Sequence, residues 1–352
     1  MDIDHSSPLL FQPIRNELYS SKELMSGFDP NDFRSMARIP DFQSYLYYVI
    51  NGRGLPNKPY AGMMEAIHDN SILQAMYRFI KATGKPTAAI MGGHSEDRGT
   101  DNYKAVVALS KSLTENGFLM ASGGGPGAME ATHLGASLAG ESDETVAKAL
   151  ALLMTDKTLP NFKMIVDKDG NIDPKQLEQV HRWTKPAHDL MVQIENPGTS
   201  LAIPTWVYGH EPLTPLATQV AKYFQNSIRE DVLLGMATNG IIYAPGTAGT
   251  FQEVFQDAAQ NYYHEPDEQF SPMVFYGKDF WTNKFPVEPL IRKLFVENNR
   301  KEEYEANVRF LDDVEEIVEF LIGRNPTHEK SMQKFNVMGM TGKQPRETLA
   351  TH

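Results

Sequence analysis

Between residues 86 and 324, short apolar runs alternate with stretches whose apolar residues recur at helical spacing. Such runs are typical of buried strands, and the helical spacing indicates helices that pack on a sheet. The runs predict strands at residues 87–91, 118–121, 200–204, 240–244, 272–276 and 308–311. The helical pattern predicts helices at residues 102–116, 127–138, 144–154, 174–192, 215–236, from about 250 to 262, 287–297 and 313–322. Because strands alternate with helices, we expect a Rossmann-like α/β fold with a doubly wound parallel sheet.

The same pattern divides the chain into three parts. Residues 1–85 carry prolines between short apolar clusters and predict a helical N-terminal extension, with one helix at residues 71–83 that ends at the C-cap Gly84. Residues 86–324 form the α/β domain, in which about 139–199 read as an insertion. Residues 325–352 are polar and predict a tail.

Composition narrows the possible functions. The 352-residue chain has no cysteine, which excludes disulfides, thiolate metal sites and cysteine nucleophiles. Its formal net charge of −12 and the lack of a long basic cluster disfavour nucleic-acid binding. Neither a signal peptide nor a long apolar span is apparent, so we expect a cytoplasmic protein without membrane contact. The histidines show no metal-binding spacing, so no metal is expected.

The first candidate site is the glycine-rich segment at residues 122–131, SGGGPGAMEA, which follows a predicted strand and leads into a predicted helix. Gly124, Gly125 and Gly127 allow a sharp turn and a close approach of a ligand to the backbone. The free amides at the start of the helix favour an anion. A tight turn without any ligand is the alternative interpretation.

The second candidate site is the segment at residues 245–253, PGTAGTFQE, after the strand GIIYA. Gly246 and Gly249 free the backbone, and Thr247 and Thr250 add hydrogen-bond donors. Glu253 lies one turn into the following helix. A carboxylate beside a phosphate-binding loop is electrostatically unfavourable, because both groups are anions. Its presence therefore indicates a functional role, such as binding ribose hydroxyls, a water or a cationic transition state. The alternative is that Glu253 only complements the helix dipole.

These two loops make the chain resemble the Lonely Guy (LOG) family, whose signature is PGGxGTxxE. Within that superfamily, it is most similar to the bacterial pyrimidine/purine nucleotide 5′-monophosphate nucleosidases. The similar segments are GGHS at residues 92–95, GPGAMEA at 125–131, Glu211-Pro212, and residues 240–253. The resemblance covers roughly residues 86–324. It implies a phosphoribohydrolase that cleaves the N-glycosidic bond of nucleoside 5′-monophosphates, giving free base and ribose 5-phosphate without a cofactor.

The resemblance also implies roles for particular residues. Glu253 and Arg229 would be the catalytic residues. The residues that would bind substrate and phosphate are Gly246, Thr247, Gly249, Thr250, Gly124, Gly125, Gly127, Glu130, Gly93 and His94. Glu130 would either bind ribose hydroxyls or support the loop.

Two departures from the family pattern stand out. Thr247 replaces the second glycine of the signature. An alignment without gaps from Pro245 places Glu230 where the family has its arginine, and a shift of one residue restores Arg229.

Other functions remain as alternatives. The strongest is a non-catalytic nucleotide or cofactor binding protein, a sensor or carrier of the LOG or DprA-like superfamily. A pyridoxal-dependent decarboxylase is disfavoured because no lysine lies between Lys222 and Lys278. A dehydrogenase is disfavoured because GGGPGAME does not match G-x-G-x-x-G. The resemblance implies a homodimer or a higher homo-oligomer.

Overall fold

The computed structural model describes residues 9–53, 56, 58–160, 165–207, 212–263 and 270–324. It contains one seven-stranded parallel sheet in the order β4-β3-β2-β1-β5-β6-β7. The strands are β1 (Thr87–Met91), β2 (Leu119–Ser122), β3 (Ser200–Ala202), β4 (Gln219–Val220), β5 (Ile241–Tyr243), β6 (Met273–Tyr276) and β7 (Val308–Leu311). The predicted doubly wound α/β fold is confirmed.

Helices connect the strands and precede the first of them. They are α1 (Ser21–Leu24), α2 (Pro40–Ile50), α3 (Pro59–Thr83), α4 (Asp101–Glu115), α5 (Ala128–Ser137), α6 (Asp143–Leu153), α7 (Pro174–Gln193), α8 (Asn226–Met236), α9 (Ala248–Tyr262), α10 (Glu288–Val296), α11 (Lys301–Asn307) and α12 (Val314–Gly323). Short 3₁₀ helices lie at Phe33–Arg38 and Met154–Asp156, and a π-helical turn at Phe280–Lys284. Among the helices that the structure describes, none combines the length and the apolar composition that a bilayer crossing requires.

Successive side chains of each strand point to opposite faces of the sheet, so the core has two layers. Ala89 of β1 packs into the layer that includes residues of α2, α3, α8, α9 and α10. Its neighbours Ala88 and Ile90 pack into the layer formed with α4, α5, α6 and α12. α7 contributes to both layers.

The N-terminal third is part of the first layer. Ile72 and Met76 of α3 are fully buried against the sheet, and Tyr19 pairs with Val220 of the edge strand β4 through two backbone hydrogen bonds of 3.1 and 2.8 Å. α3 ends at Gly84 with a φ of 61°, as the C-cap prediction requires. These residues therefore cover the sheet and shield one of its edges.

The prediction of a helix at residues 215–236 is wrong for the first half of that range. The structure has the two-residue strand β4 there, and α8 begins only at Asn226. Thr218 anchors this strand, because its side-chain oxygen accepts from the backbone N–H of Ser200 at 2.9 Å and donates to the carbonyl of Ser200 at 3.0 Å. Pairing with β3 thus overrides the apolar spacing that suggested a helix.

Candidate functional site

The candidate site lies where the strand order reverses. β1 sits between β2 and β5, so the chain winds one way from β1 to β4 and the other way from β5 to β7. Ligands of open α/β sheets bind at the carboxyl ends of the strands beside such a switch point. Three loops meet there: the β1 loop (residues 92–100), the β2 loop (residues 123–127) and the β5 loop (residues 244–247).

The three loops are joined through their backbones. Gly93 N–H donates to the carbonyl of Pro245 at 3.2 Å, and Ala128 N–H donates to the carbonyl of Gly93 at 3.2 Å. A Cβ on Gly127 would overlap the carbonyl of Gly93, and a Cβ on Gly246 would overlap the side chain of Thr250. Close approach therefore requires glycine at both positions, and the Gly93 amide is used within the protein.

The N-terminus of α9 is the open end of this assembly. Thr247, Ala248 and Gly249 are exposed, and the N-cap Thr247 provides no side-chain hydrogen bond to the amides of the first turn. An added Cβ on Gly249 would meet nothing within 4 Å. Uncapped amides at a helix N-terminus favour an anion. Thr247 has a φ of −120°, so the departure from the signature glycine causes no backbone strain.

A charged pair lies beside this helix end. Arg229 of α8 places Nη1 3.9 Å from Oε1 of Glu253 on α9, with the two side chains only 12% and 16% exposed. The same Nη1 would lie 3.9 Å from a Cβ on Gly123. Arg229 therefore lies between the β2 loop and Glu253. Its Nε is buried and has no hydrogen-bond partner among the described residues.

Glu230 points elsewhere. Its carboxylate accepts from the side chain of Asn226 at 2.6 Å and from that of Gln252 at 2.6 Å. Of the two adjacent residues that the sequence left as candidates for the arginine position, Arg229 is the one that lies against Glu253.

Glu130 is in the interior. It is 0% exposed and accepts from Nε and Nη2 of Arg98, each at 2.7 Å, and from the hydroxyl of Tyr103 at 3.0 Å. Arg98 also donates to the carbonyl of Trp183 at 2.9 Å and stacks 3.9 Å above the ring of Trp183. Of the two roles expected for Glu130, the geometry favours support of the loop, because its oxygens are already occupied. Sequence reasoning missed Arg98, which carries no local signal.

Hydrogen bonds with Ser122 and Thr214 hold the β2 loop in place. Gly124 N–H donates to Oγ of Ser122 at 3.1 Å, and the Gly124 carbonyl accepts from Thr214 N–H at 3.0 Å. Oγ of Ser122 lies 2.9 Å from Nε2 of His133. Burial lowers the pKa of His133 to about 3, so the ring is neutral. Both the N–H and the carbonyl of Gly124 are therefore used in hydrogen bonds within the protein.

The remaining predicted site residues lie around the same loops. Gly125 is buried in the β2 loop, and His94 is half-buried in the β1 loop. Pro212 is described and buried, whereas Glu211 lies outside the described residues. Among those residues, no cluster of three or more histidine, aspartate or glutamate side chains could hold a metal ion.

Comparison with known proteins adds little to this geometry. No protein-family model matches the chain, and no curated protein matches it. Among solved structures, the molybdenum cofactor binding protein of the phototrophic bacterium Rippkaea orientalis is similar with a TM-score of 0.38 and 13% identity, over 68% of this chain and 96% of that chain. A similarity this low says nothing about the function of this chain.

Proposed function

We propose that this protein hydrolyses the N-glycosidic bond of nucleoside 5′-monophosphates to free base and ribose 5-phosphate. The observation that carries the proposal is the half-buried pair of Arg229 and Glu253 beside the open N-terminus of α9. The helix end suits the 5′-phosphate, and the carboxylate suits the reacting sugar.

The first step is the placement of the sugar. The amides of Ala248 and Gly249 bind the phosphate at the positive end of the helix dipole. Glu253 lies one turn further along α9, on the side that faces Arg229. Anchoring the phosphate therefore brings the ribose to the carboxylate and lowers the entropic part of the barrier.

The second step is the bond cleavage. The C1′–N bond breaks with its electron pair moving to the base, and positive charge develops on the ribosyl group. The carboxylate of Glu253 stabilises that charge and orients a water, whose oxygen forms the new bond to C1′. One proton of the water is released, and the departing base takes up one proton.

Arg229 makes the arrangement electrostatically feasible. A carboxylate next to a phosphate would repel it, and the guanidinium at 3.9 Å offsets this repulsion. The side chain also lies over the β2 loop at Gly123, from where it can reach a phosphate or a ribose hydroxyl.

The test is a chromatographic assay for free base with AMP, GMP, CMP, UMP and IMP, and with the unphosphorylated nucleosides as controls. We expect base release from monophosphates only. If no monophosphate releases base while monophosphates raise the melting temperature, the protein is a nucleotide sensor or carrier and the hydrolase proposal is wrong.

The variant Glu253→Gln sharpens this test. It removes the negative charge but keeps the size of the side chain, so turnover should fall by at least about 100-fold, as for loss of one transition-state stabilising group. Binding of monophosphate by calorimetry should persist. Glu230→Gln is the matched control, because Glu230 is bonded to Asn226 and Gln252. Equal activity of Glu253→Gln and wild type would contradict the assignment.

The homodimer or higher homo-oligomer implied by the resemblance stays a prediction. Phe255 on α9 and Tyr263, the C-cap residue at the end of α9, are 42% and 79% exposed, and α9 is the helix that carries Glu253. Light scattering of wild type and of Tyr263→Ser tests self-association through this helix.

A further inference from the structure

The start of α8 is held by a side chain from α3. Oδ1 of Asp69 accepts from Phe224 N–H at 2.9 Å, and Oδ2 accepts from Gln225 N–H at 2.8 Å. Asp69 is 0% exposed. Gln225 is the N-cap residue of α8, and its carbonyl accepts from the N–H of Arg229 at 3.2 Å. Asp69 therefore holds Gln225, and the carbonyl of Gln225 in turn accepts the backbone hydrogen bond of Arg229 in the first turn of α8.

Two further side chains orient Asp69. Nδ1 of His68 lies 3.1 Å from Oδ1 of Asp69, and the hydroxyl of Tyr19 lies 2.9 Å from Nε2 of His68. Burial lowers the pKa of His68 despite the opposite effect of Asp69, which favours the neutral form of the ring. The rings of Trp206 and Phe224 pack at 5.4 and 5.0 Å from the imidazole. The carboxylate consequently has one fixed orientation.

Among the described residues, few contacts besides this anchor fix the position of Arg229. Gln225 supplies no side-chain cap for α8. The guanidinium has a buried Nε without a partner among the residues described, and it contacts Glu253 only at the long distance of 3.9 Å. The position of the guanidinium is thus set by where the helix begins. A displacement of about 1 Å at a reacting group can reduce turnover 100-fold.

We infer that Asp69, oriented by His68 and Tyr19, is the positioning residue for Arg229. The inference rests on the proposed hydrolase function for its kinetic consequence only. It assigns to the N-terminal third of the chain a direct part in building the site.

The variant Asp69→Asn tests this because it keeps size and removes one acceptor. The NH₂ group of the new asparagine then faces another donor, either a backbone N–H at the start of α8 or the imidazole, so this helix start must shift. We expect kcat for AMP to fall at least about 10-fold. In an Arg229→Gln background, Asp69→Asn should change kcat less than about 2-fold, because the residue through which it acts is gone.

A second readout does not depend on turnover. The protein is labelled with ¹⁵N-arginine for NMR. The Nε–H resonance of Arg229 is assigned as the one that disappears in the variant Arg229→Lys. Asp69→Asn should shift it. Tyr19→Phe, which removes only the hydroxyl on His68, should shift it in the same direction by less, and it replaces Asp69→Asn if that variant does not fold.

Asn239→Ala is the control for stability alone. Asn239 is 0% exposed, and its side-chain oxygen accepts from Thr87 N–H at 3.0 Å at the amino end of β1, whereas the candidate site lies at the carboxyl ends of the strands. It should lower the melting temperature without moving the Arg229 resonance. An unmoved resonance in Asp69→Asn, or kinetic effects that multiply in the double variant, would overturn the inference. If wild type releases no base, the hydrolase proposal fails while the resonance still decides the role of Asp69.

Discussion

The substitution Glu65→Gln removes a carboxyl group whose ionisation is unfavourable in the folded protein. Glu65 lies on α3, one turn before Asp69, and is 1% exposed. Neither of its carboxylate oxygens has a hydrogen-bond partner among the described residues. Burial, together with the charge of Asp69, raises the pKa of Glu65 from 4.5 to about 8.

The raised pKa makes stability depend on pH. Below pH 4.5, Glu65 is protonated in both the folded and the unfolded state, and its contribution is fully present. From pH 4.5 to about 8, only the unfolded state releases the proton, so the free energy of unfolding falls by about 1.4 kcal/mol per pH unit. The full loss is about 5 kcal/mol, reached as pH rises through the folded pKa. Glu65→Gln has no proton to release and escapes this loss.

Urea unfolding at pH 5.5, 6.5 and 7.5 measures the effect. The fluorescence of Trp183, Trp206 and Trp281, all at most 1% exposed, reports the transition. Between pH 5.5 and 7.5, Glu65→Gln should gain about 3 kcal/mol over wild type. Glu319→Gln makes the same chemical change at an exposed position of α12 and should show no such trend. A Glu65→Gln advantage that is constant with pH would refute the reasoning.

Gly246→Ala and Gly249→Ala form a matched pair on the β5 loop and α9: the first should lose about 1–3 kcal/mol through overlap with Thr250, and the second should keep or gain stability. Melting temperatures decide this, and the reverse order would contradict the packing described. Arg98→Met should cost about 3–5 kcal/mol by leaving Glu130 buried without its cation. Adding Glu130→Leu should recover most of that loss in urea unfolding, and no recovery would show that the ion pair is not its cause.

The strands and their glycine loops could be predicted because their signals are local. The apolar runs at residues 87–91 and 308–311 are strands within the same bounds, and Gly84 ends α3 as expected. Since parallel strands place their carboxyl ends at one edge, the glycine loops could be expected to meet. The sequence left the choice between Arg229 and Glu230 open, and in the structure Arg229 is the residue that lies against Glu253.

The supporting contacts could not be predicted because their partners are distant along the chain. Asp69 binds backbone amides 155 and 156 residues away, and Arg98 binds Glu130 across 32 residues. No local pattern marks such pairs, since each residue alone reads as an ordinary charge. The two-residue strand β4 was missed for a related reason: its strand character comes from pairing with β3.

The backbone bridge between Tyr19 and Val220 has a consequence for synthesis of the chain. Tyr19 leaves the ribosome long before its partner, by roughly 10–40 s at about 5–20 residues per second. During that interval the apolar face of the N-terminal helices has no edge strand to close against. We therefore expect the nascent chain to need a chaperone or rapid collapse onto β1 and β2, and truncations before residue 220 to aggregate when expressed.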